Sequence, residues 1–494
     1  MERILKRFGK QITHFRWVVI GLWLMLLVFG GYYATQVGSH LTGGGWGVPG
    51  SDSNQAYEVL SEEFESRDAT SLTFVMSHEV YQVGSDEYTE AFKLVSQSLQ
   101  NEPEIDQVYT WLDVEETTRG PFVSEDAYTS IGFIEVNVDE GFAQKVLPDI
   151  QERLTASLGE SGFEATILGA PAFWGEMNEL SQAGLEKAHF YAFPIIVIVL
   201  LFVFRSVVSS ITPLLLSGFS IAASLGILHF IAQGMELSIF VLDAALMLGI
   251  GVGIDFALIF VKRFREELEK SGDDTALAVS ETMGTAGHAI LFSGITIIVA
   301  MSAVLFVDIA AVRSIALGVI VVVFFLILTS LTLLPVFLTI VGPKINAWKV
   351  PFLPIKEARQ NEKGTWYRLA HRVMRRPVLY LTMSVVFLLA LAWPALELEV
   401  STPDARMLPE DTQVRKGLSH LEEGFGIGYS APIQVVVSAE EGQLIDESGL
   451  EELQNIVAKI EEMDNVEGIT SLFSLFPNFT VEQIERCYLI KVNG

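Results

Sequence analysis

The apolar residues of this chain gather into long uncharged runs separated by polar stretches. Trp17–Tyr33 carries no charge at all. Ala188–Phe204, Val207–Ala232 and Leu237–Val261 follow in close order, the last interrupted by Asp243 and Asp255. Ala289–Val307, Ala310–Val341 and Val378–Ala395 complete the set. A helix rises 1.5 Å per residue, so about 20 apolar residues cross about 30 Å of hydrocarbon. The pattern predicts seven membrane spans: one alone, five clustered, and one more.

Between the spans the period changes. Ser71–Met76, Asp106–Trp111, Ser130–Val138 and Phe163–Gly169 read as strands, whereas Asp86–Leu99 and Phe142–Leu158 have helical spacing. The order β-α-β-β-α-β predicts a ferredoxin-like split βαβ domain. The fold class expected is therefore an α-helical polytopic membrane protein with α+β extracytoplasmic domains. The expected divisions are 1–36 (N-terminus and first span), 37–187 (first soluble domain), 188–342 (spans two to six), 343–377 (basic linker), 378–396 (span seven) and 397–494 (second soluble domain).

Charge sets the expected orientation. Arg3, Lys6, Arg7, Lys10 and Arg16 precede the first span, and Lys262, Arg263, Arg265 and Lys270 follow the fourth. Pro343–Pro377 holds nine Lys/Arg against two Glu. These segments share a side if every span crosses, so the positive-inside rule places the N-terminus in the cytoplasm and both large loops outside. Val37–Lys187 holds 6 Lys/Arg against 28 Asp/Glu, which reads first as a solvated acidic face.

The first span and its sequel recur later at offsets of 360–361. His14-Phe15-Arg16-Trp17-Val18-Val19 aligns with Met374-Arg375-Arg376-Pro377-Val378-Leu379, and Leu72-Thr73-Phe74-Val75-Met76-Ser77 aligns with Ile433-Gln434-Val435-Val436-Val437-Ser438. Internal repeats of this kind underlie many transporter folds. The second copy predicts a strand at Pro432–Ser438, a helix at Leu450–Glu462, a strand at Val466–Phe473 and a short strand near Tyr488. It holds one span and part of a soluble domain. The expectation is a truncated form of a twelve-span protein, which a second polypeptide supplying spans eight to twelve is one way to complete.

An ionisable group in hydrocarbon costs at least about 2.5–3.5 kcal/mol, which makes it a functional candidate. Asp255 lies in Gly249-Ile250-Gly251-Val252-Gly253-Ile254-Asp255-Phe256, about two turns inside one end of the fourth span. Burial disfavours a charged carboxyl, which suits reversible protonation, and the alternative is a neutralised Asp that serves packing. Gly249, Gly251 and Gly253 permit close helix approach. Asp243 is about 120° around the helix from Asp255 and close enough to the end of the span to reach the interface. On the fifth span, Ser293 is placed either to hydrogen-bond across to Asp255 or to bond back to its own helix. His288 reads as interfacial. Asp308 and Arg313 bracket a turn and are placed to pair.

Composition narrows the classes. Half of the residues are hydrophobic and 19% are charged, against about 25% in soluble domains. The formal charge of −28 argues against a nucleic-acid partner, since phosphate contacts need Lys and Arg. A single cysteine, Cys487, excludes a disulfide framework, and scattered histidines predict no metal site. No Walker loop, His-Glu-x-x-His or Gly-x-Ser-x-Gly motif occurs, so neither an enzyme nor a cofactor is expected.

The chain resembles the MMPL branch of the resistance-nodulation-division superfamily. The resemblance rests on the one-plus-five span pattern around an outside domain, Gly50-Ser51-Asp52-Ser53-Asn54-Gln55-Ala56, and Leu201-Phe202-Val203-Phe204-Arg205-Ser206. Gly253-Ile254-Asp255-Phe256-Ala257-Leu258 running into Lys262-Arg263-Phe264-Arg265-Glu266-Glu267, and Leu291-Phe292-Ser293-Gly294-Ile295-Thr296, also carry it. It implies proton-driven export of lipids, drugs or other hydrophobic molecules across the cell membrane, with membrane lipids, substrate and protons as partners. It also implies a relay in which an Asp-Tyr pair of span four meets a second pair in span ten. Asp255 matches the first Asp, and Phe256 stands at the Tyr position without the hydroxyl. Two rivals share the layout: a SecD/SecF-like accessory of protein translocation, against which the Gly-Ile-Asp-Phe and Arg-Phe-Arg-Glu-Glu strings argue, and a non-transporting lipid-binding module.

Overall fold

A computed structural model describes residues 1–494 apart from 43–46, 64–70, 115–118, 139, 160, 236, 349–364, 399–403, 431–432, 434, 438–445, 464–465, 467, 470 and 476–494. In chain order the elements are α1 (Glu2–His14), α2 (Arg16–Ala34), β1 (Leu41–Thr42), α3 (Asp52–Glu63), β2 (Ser71–Ser77), α4 (Asp86–Gln100), β3 (Ile105–Thr110) and β4 (Thr129–Val136). They continue with α5 (Glu140–Leu158), β5 (Glu164–Leu168), α6 (Ala170–Phe204), α7 (Val207–Ala232), β6 (Leu237–Ser238), α8 (Phe240–Lys270), α9 (Thr275–Thr282) and α10 (His288–Val304). The last are α11 (Ala310–Leu331), α12 (Leu333–Val341), α13 (Thr365–Arg375), α14 (Pro377–Ala392), α15 (Gln413–Phe425), α16 (Glu447–Glu461) and α17 (Leu472–Leu475). Two compact units result, Met1–Gly47 with Phe173–Met407, and Val48–Ala172 with Leu408–Gly494.

The second of these units is built on a four-stranded sheet of order β3-β4-β2-β5, antiparallel at every pairing. Alternation decides its two faces. Leu72, Phe74 and Met76 point one way, where Phe74 meets Phe92 of α4 at 5.4 Å between ring centroids. Val75 points the other way beside Thr166, its partner on β5. There α15 covers the sheet, with Gly417 so close to Thr166 that a Cβ would strike it.

Tyr88 pins the α4 side. Its hydroxyl donates to the Met76 carbonyl at 2.6 Å and lies 2.9 Å from Ser130 Oγ, fully buried. Burial pushes its phenol far above the usual range. The raised folded value means that this contribution to stability is intact below about pH 10 and is lost as pH rises beyond it. Tyr88→Phe is expected to cost about 1–3 kcal/mol, because the Met76 carbonyl loses a buried donor. It should also flatten the alkaline loss. Hydrogen exchange of the β2 and β4 amides in the full chain, at neutral and alkaline pH, checks both.

The other unit is a helical bundle. Six stretches of described helix are long and apolar enough to cross a membrane, those beginning at Arg16, Val207, Phe240, Thr275, Ala310 and Pro377. The seventh expected span, Ala188–Phe204, is the end of α6, whose described apolar part is the shorter Phe190–Phe204. That helix begins at Ala170 in polar sequence. Backbone hydrogen bonding does not need apolar side chains, so no turn marks the start of the apolar run. Phe256, Phe260, Phe264 and Val322 lie at the centre of the bundle.

Two features depart from continuous spans. The expected run Ala310–Val341 breaks at Thr332, between α11 and α12. Pro335 has no N–H to offer the Leu331 carbonyl and its ring crowds that turn. A π-helical turn, Met283–Gly287, precedes α10. α1 lies against it: Leu5, Gly9 and Ile12 are buried, and Lys6 Nζ reaches Glu281 Oε2 at 2.7 Å. Glu281 first, and then Glu2, hold the Lys6 ammonium above its ordinary range.

Several helices start at a constant separation of 361 positions: α2 and α14 (16 and 377), α3 and α15 (52 and 413), α4 and α16 (86 and 447). The helix expected at Leu450–Glu462 is present as α16. Of the strands expected beside it, the described residues form no ladder. Ile433 and Val435–Val437 are extended neither in a ladder nor against a partner, and Ile433 is 91% exposed. Leu472 and Phe473, expected in a strand, belong to α17. A strand persists only where a neighbouring strand takes its N–H and C=O groups, and no such ladder partner lies among the described residues. The strand expected near Tyr488 lies outside the described residues.

Candidate functional site

The middle of α8 is where chemistry and packing diverge. Gly249 and Gly253, one turn apart, face inward. A Cβ at Gly249 would lie 2.7 Å from Ile221 and 3.0 Å from Val322, and one at Gly253 would collide with Ser217 Oγ. These two glycines let α7 and α11 approach α8 closely, which aliphatic side chains would prevent. Phe256 continues that inward face at 2% exposure.

Gly251 and Asp255 are also one turn apart, and they face outward. Nothing lies within 4 Å of where a Gly251 Cβ would be. The outward stripe runs through Leu248, Gly251, Asp255 and Ile259, all exposed. Among the described residues Asp255 makes no hydrogen bond or ion pair. The expectation that all three glycines serve helix packing thus holds for two, and Gly251 shares the open face of the carboxylate.

Asp255 and Phe256 differ by about 100° on the helix, so a face that buries one presents the other. α10 meets α8 at the inward side: a Cβ on Gly294 would lie 3.6 Å from Phe256 Cζ. Ser293 and Asp255 are each one residue from this contact. Ser293 is exposed and, among the described residues, hydrogen-bonds neither Asp255 nor its own helix; Thr296, one turn on, donates to the Phe292 carbonyl at 2.8 Å.

The secondary candidates lie apart. Asp243 sits half-buried in the first turn of α8. His288 opens α10 directly after the π-helical turn, 4.7 Å from Phe292 between ring centroids. Arg313 and Asp308 pair at 3.2 Å, as their positions predict. The described residues hold no group of three or more His, Cys, Asp or Glu that could hold a metal ion. Sequence reasoning missed the π-helical turn and the break at Thr332. Pro335 was the available signal for the second, and nothing in the residue pattern marks the first.

The model of the MMPL family matches residues 46–380. The trehalose monomycolate exporter MmpL3 of Mycolicibacterium smegmatis is 26% identical over 479 residues, covering 90% of this chain and 47% of that protein. The mycolic acid-containing lipids exporter MmpL11 of the same organism is 29% identical over 445 residues, covering 87% and 45%. MmpL3 of Mycobacterium tuberculosis is 26% identical over 482 residues, covering 91% and 50%. The chain spans about half the length of these relatives. With the family model matching more than half of it and several apolar helices in its bundle, this chain is a multi-pass membrane protein of the MMPL family.

Proposed function

We propose that this chain works in proton-driven export of lipids or other hydrophobic molecules across the cell membrane, with Asp255 as one half of a proton relay. The observation that carries the reading is the outward carboxylate in the middle of an apolar helix, beside the open Gly251. In hydrocarbon such a group is stabilised by taking a proton or by meeting a polar partner. A helix that packs along Gly251 brings its own backbone close to Asp255. A second carboxylate there would share protons with the first, and alternation between the charged and neutral states would drive the helices to move. Phe256 supplies bulk to the core and no hydroxyl to the relay.

Related observations support the reading. The relatives are exporters of trehalose monomycolate and of mycolic acid-containing lipids, so the substrate class is a long-chain lipid. Helix starts 361 positions apart support an internal repeat, and we read the four-stranded sheet with its two crossing helices as a ferredoxin-like unit on the extracytoplasmic side. The basic segments put the N-terminus in the cytoplasm. The partner helix comes from a second one-plus-five half, in the same or a second polypeptide.

Comparison of surface lipids by mass spectrometry in source cells with and without the gene tests this. Loss of a long-chain lipid from the surface, with accumulation inside, is expected. A general protein-secretion defect with unchanged lipids overturns the proposal in favour of a translocation accessory.

A further inference from the structure

An apolar groove of about 210 Å³ lies between α2, α7 and α12, beside the break at Thr332. Ile20 and Leu24, Leu215 and Phe219, and Phe337 and Ile340 line it in pairs from the three helices. Leu24, Leu215 and Ile340 are each close to half exposed, so the groove opens sideways, in the direction of the surrounding bilayer. Its wall contains one hydroxyl, Thr212, which donates to the Val208 carbonyl at 2.8 Å and asks nothing of a ligand. Trp23, on the same helix as Ile20 and Leu24, donates its Nε1 to Thr332 Oγ1 at 2.9 Å and ties α2 to the start of α12.

The residues that flank the lining along the chain have the opposite character. Arg16 is one turn before Ile20 on α2, and Lys344 is four residues beyond Ile340. Both are exposed. The Arg16 guanidinium lies 5.9 Å from the Trp17 ring, an aromatic of the kind that sits at headgroup level. No Asp or Glu occurs between residues 3 and 20 or between 333 and 349. Among the described residues, Lys6 is the cation of α1 held by nearby carboxylates, Glu281 and Glu2.

We propose that this groove binds one anionic phospholipid of the leaflet on the basic side, with an acyl chain along Leu215 and Phe337 and the phosphate held by Arg16 and Lys344. The lining excludes a polar ligand, because nothing in it would replace lost water contacts. The cations at the mouth select a negative headgroup over a zwitterionic one. Such a lipid fills the groove beside the Pro335 break and ties α12 to α2. The inference rests on membrane insertion and is independent of any transport activity.

The test uses the full chain in nanodiscs of phosphatidylcholine with a minority of phosphatidylglycerol, followed by detergent extraction and mass spectrometry of the retained lipid. Wild type is expected to retain phosphatidylglycerol in excess of its share. Arg16→Gln with Lys344→Gln should reduce the excess about tenfold, and Leu215→Trp should reduce retained lipid of both kinds by filling the groove. The pair Arg375→Gln with Arg376→Gln removes the same charge elsewhere and should leave the excess unchanged. A wild type without preference, an unchanged excess in the Arg16/Lys344 variant, or an equal fall in the Arg375/Arg376 variant overturns the proposal. A monodisperse elution profile for each variant separates these results from misfolding.

Discussion

Cells in which Asp255 is replaced by Asn are expected to export lipid no better than cells without the gene, although the protein still reaches the membrane in normal amount. Asn keeps the shape of the side chain and removes the exchangeable carboxyl proton. It also removes the penalty of a charge facing hydrocarbon, so insertion should be undisturbed or improved. Asp255→Glu restores a titratable group one methylene longer and should recover part of the export. Asp243→Asn should leave export near wild type, because Asp243 stands in the first turn of α8 and about 120° away from the Asp255 face. Surface-lipid quantification with an imposed and a collapsed proton gradient reads all three. Full gradient-dependent export by the Asn variant sinks the relay assignment.

The second large effect concerns the crossing of α2 and α7. A Cβ on Gly30 would strike the Ala222 carbonyl oxygen and lie 2.7 Å from its carbon, and one on Gly226 would lie 2.6 Å from Gly30 Cα. The obstacle is backbone, which cannot rotate aside. Gly30→Leu must therefore push the helices apart. That separation takes with it the Phe29–Phe230 stack at 5.8 Å, the Tyr33–Phe230 contact at 4.8 Å and the Trp23–Thr332 hydrogen bond. A loss of about 3 kcal/mol or more is expected, at the upper end of what overpacking does. Gly31→Leu is the control: it is adjacent in sequence and nothing lies within 4 Å of where its Cβ would be. Thermal aggregation of the two variants in detergent should differ by many degrees. Equal midpoints would mean that this crossing does not hold α2 in place.

Residue pattern alone carried much of the architecture, for reasons that are local. The apolar runs are a response to hydrocarbon, where each segment must satisfy its own backbone, so their positions follow from composition. The strands β2 to β5 and helices α4 and α5 follow from periods of 2 and 3.6, and the structure has them within a few residues of the expected ranges. Asp255 stood out because a carboxylate in an apolar run is costly wherever the chain folds. The Asp308–Arg313 pair was legible because five residues around a turn bring its ends together.

What failed was whatever depended on a neighbour. Pro432–Ser438 has the alternation of a strand, yet alternation supplies no ladder partner, and the described part of the segment is unpaired. The three glycines near Asp255 look equivalent in sequence, yet Gly249 and Gly253 meet α7 and α11 whereas Gly251 meets open space. The chain by itself determined that there is a set of apolar spans with an α+β unit and a carboxylate, Asp255, inside one of those spans. Only the tertiary structure decided which way that carboxylate faces, because helix rotation is set by side chains on three other helices. It also decided that an apolar groove lies between α2, α7 and α12, since such a space depends on how helices from distant parts of the chain pack together.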